Sequence, residues 1–131
     1  MLDSDHLERV FRKLFPEGRL NRIPKNPEHR DLILALLSLR MMRRYPYSEP
    51  ELNEFLVEEL SSINARVDHV TARRYLVDLG FVKRDTAGAR YYLNYLRQQE
   101  VLPEPASGSA HSIVAEVIRK AQQARVSCGH T

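Results

Sequence analysis

Apolar side chains fall at helical spacing in five stretches of the chain, and two short stretches between turn residues read as strands. Leu7, Val10, Phe11 and Leu14 stand at i, i+3, i+4 and i+7, which predicts a helix over 5–15 with one buried stripe. Asp5 and Glu8 have the spacing of a capping pair, and Pro16 and Gly18 end the helix. A basic connector, 16–26, follows. Asn26 then predicts an N-cap with Pro27 at the first helical position, where a missing N–H does no harm. This second helix is expected to run to about Tyr45. Its middle, 32–37, is apolar on every side, which marks it as the central core helix, and Arg40, Arg43 and Arg44 suit its negative C-terminal end.

Ser48-Glu49-Pro50-Glu51 has the form of a capping box with proline in the first turn. It opens a third helix, to about Ser61, with a core stripe of Leu52, Phe55, Leu56 and Leu60 and a separate acidic face of Glu51, Glu54 and Glu58. Asp68 caps a fourth helix, 68–80, closed by Gly80. At about 100° per residue, Ala72, Tyr75, Leu76 and Leu79 share one face, and Val70, Arg73, Arg74 and Val77 the other. Residues 81–84 and 90–94 read as strands of a hairpin (81–94) around the turn-rich 85–88. Residues 103–109 read as a linker, 110–126 as a helix with the stripe Ile113, Val114, Val117, Ile118 and Ala121, and 127–131 as a frayed tail.

Helix, core helix, capped helix, turn, helix and hairpin is the order of a winged helix-turn-helix. The predicted fold class is therefore mainly α with a small β-hairpin. A winged helix-turn-helix is flanked by N- and C-terminal helices, with one domain over 1–102. Five segments carry a further likeness: GRLNRIPKN (18–26), LILALL (32–37), YSEPELNEFL (47–56), RRYLVDLGFVKRD (73–85) and YY (91–92). In order and spacing they resemble an uncharacterised bacterial domain family, a domain of unknown function found in transcriptional regulators. The resemblance spans residues 18 to about 93 and implies a winged-helix fold, a DNA-linked regulatory role, no catalytic residues and no cofactor.

Composition sharpens this picture in three ways. With 43% apolar residues in 131, the chain can build one core. No apolar run approaches a membrane span, and MLDSDHLERV has acids where a signal peptide has bases, so a cytoplasmic protein without membrane contact is expected. A single cysteine, Cys128, excludes an internal disulfide framework. The net charge of +3 is unevenly spread: residues 1–47 carry ten Lys/Arg against six acids, 48–67 one against five, and 68–97 six against three. A basic front and a basic hairpin thus flank an acidic helix, which is compatible with nucleic-acid binding.

The candidate nucleic-acid residues follow from that arrangement. On the fourth helix they are His69, Val70, Thr71, Arg73 and Arg74; on the hairpin, Lys83, Arg84 and Arg90. Arginine reads guanine edges or grips phosphate from a helix in the major groove, and valine meets a thymine methyl. A structural alternative stands beside this: Arg74 pairs with Asp78 at i+4, or the arginines clamp the acidic third helix. Arg19, Arg22 and Lys25 read as a phosphate arm or, preferably, as a solvated loop packed through Leu20 and Ile23. Of Tyr91 and Tyr92, neighbours on a strand, one should face the core. The five histidines (6, 29, 69, 111 and 130) and Cys128 have no metal-ligand spacing, and no phosphate loop, nucleophile elbow or paired-carboxylate site is present. The expected partners are double-stranded DNA and a second copy of the chain, paired through 110–125; the alternative is a winged-helix protein–protein interaction module.

Overall fold

The computed structural model describes residues 2–87 and 89–129, with side chains through residue 124. Among these residues the chain is mainly helical with one two-stranded antiparallel sheet. The elements are α1 (Ser4–Leu14), a 3-10 turn (Pro16–Gly18), α2 (Pro27–Ser38), α3 (Glu49–Ser62), α4 (His69–Asp78), β1 (Val82–Asp85), β2 (Arg90–Leu93), α5 (Tyr95–Val101) and α6 (Ala106–Gly129).

Local capping sets most of the helix starts. Asn26 Oδ1 accepts the His29 N–H (3.1 Å). Ser48 and Glu51 close a reciprocal box, with Ser48 N–H donating to Glu51 Oε1 (2.9 Å) and Glu51 N–H to Ser48 Oγ (3.2 Å). Asp68 accepts from the Val70 N–H at 2.6 Å. The first helix departs from expectation. Asp3, not Asp5, is its cap, accepting from His6 N–H at 2.8 Å, while Glu8 pairs with Arg12 (3.0 Å) and with Lys120 of α6 (3.7 Å).

Residues 32–38 are all buried, so α2 is the centre of the core. It ends at Ser38, well before Tyr45. Gln98 of α5 reaches in and donates to Ser38 O (2.9 Å), which also accepts the Met41 N–H (3.1 Å). The chain then turns through Arg44 (φ 62°) so that Tyr47 pairs with Tyr91, their N–H groups donating to each other's carbonyls at 2.9 and 2.8 Å. Tyr47 thus adds a one-residue rung beside β2, and β1 pairs on β2's other side, with Val82 opposite Leu93.

Helix α5 was not foreseen in the sequence. Arg97 ties it down: its guanidinium bonds Leu79 O (3.1 Å) and Asp31 (3.1 Å) and lies 4.7 Å from the centroid of the Phe81 ring. Helix α6 begins at Ala106, inside the expected 103–109 linker; Ala106 and Ala110 are buried, and that packing offsets the low helix propensity of Gly108 and its flanking serines. It continues to Gly129, past the expected end at 126; residues 130–131 of the predicted tail, His130 among them, and the Cys128 side chain lie outside what is described.

The apolar stripe of α6 bears on a further expectation. Ala110, Val114 and Val117 are buried in the chain's own core, and α6 packs on α1 and the 3-10 turn. Gly18 (φ 79°) permits this approach. A Cβ there would stand 3.1 Å from Ile118 O and 3.2 Å from Gln122 Cγ. Of the stripe through which a homodimer over 110–125 was expected, Val114 and Val117 are buried within the chain itself, with Ile113 and Ile118 packed partly against the same core. Glu59 of α3 joins the same seam, buried between Arg40 (3.4 Å) and His111 of α6 (3.5 Å). No helix among the described residues is long and apolar enough to cross a membrane.

Candidate nucleic-acid interface

Helix α4 exists because Asp68 occupies its N-terminus and Gly80 (φ 83°) lets the chain leave it. The N–H groups of Val70 and then Thr71, with the Thr71 hydroxyl, hold the Asp68 carboxyl below the usual carboxylate range. Ala72 and Leu76 are fully buried against the core, with Tyr75 and Leu79 partly so. The opposite ridge carries Val70 (41% exposed), Thr71 and Arg74.

Arg73 does not belong to that ridge. It lies about 60° from Leu76 around the helix, and its side chain is only 19% exposed. The guanidinium donates to Asn53 of α3 and stands 3.6 Å from Glu49. Glu49 also accepts from the Tyr91 hydroxyl at 3.3 Å, so one carboxylate joins α3, α4 and β2. Arg73 thus clamps the acidic third helix, the structural alternative weighed above. Arg74 behaves differently. It is exposed and makes no hydrogen bond or ion pair among the described residues, Asp78 included. His69, half-buried, lines a separate groove on the α3 side with Val57.

The hairpin divides its cations between two faces. Cross-strand partners share a side, so Val82, Leu93, Tyr91 and Arg84 point one way, and Lys83, Tyr92, Asp85 and Arg90 the other. Val82, Tyr91 and Leu93 are buried, which makes theirs the core side; Tyr92 is the outward tyrosine. Arg84, one pair from the turn, lies 5.7 Å from the Tyr91 ring centroid, near the limit for a cation–π contact. Lys83 and Arg90 face outward together. Glu51 feels the charge of Arg90, although the Tyr45 hydroxyl and the Ser48 N–H do most to hold its carboxyl below the ordinary range. The hairpin turn holds Asp85, which accepts from Ala87 N–H (3.0 Å); Gly88 of the predicted turn lies outside the described residues.

Three further cations stand beside α4. Leu20 and Ile23 bury the connector, as the packed-loop reading requires, and Leu20 pairs with the α3–α4 turn: its N–H donates to Asn64 O (3.2 Å), and Arg66 N–H donates to Leu20 O (2.7 Å). Asn64, in the left-handed region (φ 54°), donates its amide to Gly18 O (2.8 Å). This pinning sets Arg22, Lys25 and Arg66 around a groove of about 490 Å³ that also touches Thr71 and Tyr75. Arg66 was missed in the sequence, where it sits unremarked in a short turn. Its signal was a basic residue just before the N-cap of the exposed helix. Among the described residues no three His, Cys, Asp or Glu side chains gather to hold a metal.

The segment from the connector to β2 coincides with a family match. Residues 19–93 match the family described as "Uncharacterized protein conserved in bacteria (DUF2087)". The chain belongs to this family. The DUF2087 stretch holds α2, α3, α4 and the hairpin, and leaves out α1, α5 and α6. No curated protein and no solved structure matches the chain.

Proposed function

We propose that the DUF2087 stretch is a winged helix-turn-helix that binds double-stranded DNA, as the DNA-contacting part of a bacterial transcriptional regulator. The supporting order is α2, the Tyr47 rung, α3, a six-residue connection (63–68), α4, and a two-stranded hairpin closing on that rung. The observation that carries the reading is the outward ridge of α4: Val70, Thr71 and an unpaired Arg74, beside the outward Lys83 and Arg90 of the hairpin. In this reading α4 lies in the major groove, Arg74 reaches a base edge or phosphate, and the hairpin lies along the backbone. Arg73 sets the angle between α3 and α4 and touches no DNA. Pairing through 110–125 is not part of the reading.

A random-duplex selection at two salt concentrations tests it. Enrichment of a sequence, with affinity falling steeply as salt rises, is the expected result. Equal recovery of all sequences with no salt dependence overturns it. One observation favours a second reading, a protein-docking module: Val57 (50% exposed) and Val70 (41%) leave apolar surface on α3 and α4. An apolar interface would hold as salt rises.

A further inference from the structure

We infer that Arg22, Lys25 and Arg66 form a phosphate clamp that grips the DNA backbone alongside α4. The inference rests on the DNA reading and adds to it a contact surface outside the helix and hairpin. Three observations carry it. First, the cations come from two distant segments brought together by main-chain bonds, Leu20 to Asn64 and Arg66 to Leu20, so their spacing is fixed by the fold and not by a floppy arm. Second, all three side chains are exposed and make no ion pair or side-chain hydrogen bond among the described residues, although the chain carries 17 acids. Third, the groove they line opens onto Thr71, a residue of the α4 ridge, so one strand's backbone can lie there while α4 occupies the adjacent groove.

The one acid in the groove is Asp68, whose carboxylate already accepts the Val70 and Thr71 N–H groups and the Thr71 hydroxyl (3.2 Å). The helix N-terminus is therefore occupied, and phosphate must be held by the three cationic side chains. Such contacts position a protein on the duplex without reading its sequence. They add about 0.9 each to the slope of log affinity against log salt.

The test uses the full chain and a fluorescein-labelled random-sequence duplex, with anisotropy titrations across a salt series. Replacing the three residues together with glutamine (R22Q, K25Q, R66Q) should lower the salt slope by about two to three and leave the melting temperature within a degree or two. Exchanging the charges conservatively (R22K, K25R, R66K) should keep the slope. If the glutamine triple loses its fold, each single variant should still lower the slope by about one. An unchanged slope in the glutamine variants, while Arg74→Ala still weakens binding, overturns the clamp and leaves the DNA reading standing. A wild-type chain with no salt-dependent duplex binding removes both.

Discussion

Helices α4 and α6 are both amphipathic and both carry cations outward, yet they use them in opposite ways. On α6, Arg119 bonds Glu116 and Gln123, and Lys120 reaches Glu8 of α1 (3.7 Å). Those charges are met within the protein, over a face already packed on α1 and the 3-10 turn. On α4 the same residue type splits: Arg73 is held by Asn53 and Glu49, while Arg74 one step further round is held by nothing among the described residues. On the neighbouring connector, turn and hairpin, Arg22, Lys25, Arg66 and Lys83 are also unpaired among the described residues. Exposure alone does not separate these helices. What separates them is whether the chain supplies the counter-charge, because a cation already met by a carboxylate has less to gain from phosphate.

The strongest way to break the comparison is to remove the packing that gives α6 its role. Val114→Asp puts an unpaired carboxylate at a site 1% exposed, and should destabilise the chain by at least about 3 kcal/mol. Denaturant unfolding measures this. A small loss would mean that α6 is not part of the fold. Gly18→Ala is the milder version. It forces a side chain into the left-handed region against Ile118 O, and should reduce stability by about 1–3 kcal/mol. Its signature is faster amide exchange in α6 than in α4.

Two smaller perturbations act on the α3–α4 side. Ser48→Ala should cost about 1 kcal/mol, the usual loss for an N-cap, and an unchanged denaturant midpoint would remove the capping box from the account. Acid acts on neighbouring caps. The folded-state pKa values of Glu51 and Asp68 lie below their ordinary values, so both groups contribute stability at neutral pH. That contribution declines as pH falls from the ordinary carboxylate range through the lowered values. The Asn26 cap has no titrating group. Exchange at Val70 and Thr71 should therefore accelerate in acid relative to exchange at His29, after correction for intrinsic rates.

These differences also explain what could be read from the chain. The caps at Asn26, Ser48 and Asp68, the buried middle of α2 and the hairpin are short-range features, so sequence neighbours are enough to reveal them. The end of α2 is met by Gln98, 60 residues away, and the close approach of α6 needs a glycine in another segment. No local pattern carries those contacts. The site divides in the same way. Helical periodicity found the α4 ridge but grouped Arg73 with Arg74, although Arg73 stands at the ridge's edge, about 60° from Leu76; that Asn53 lies beside Arg73 is a contact between helices that no single-helix pattern carries. Arg66 joined the cations of the connector only through the Leu20 pairing.

The central claim is that Arg74 faces DNA while Arg73 holds the fold, and the two single alanine variants measured side by side test it most directly. Duplex affinity and unfolding free energy are recorded for each. Arg74→Ala should leave stability within about 0.5 kcal/mol, as expected for an exposed unpaired side chain, and weaken duplex binding about tenfold. Arg73→Ala should lose about 1–2 kcal/mol of stability, since a half-buried hydrogen-bonded charge is removed, and keep its affinity while folded. The reverse pattern, with binding lost in Arg73→Ala and stability lost in Arg74→Ala, would contradict the account.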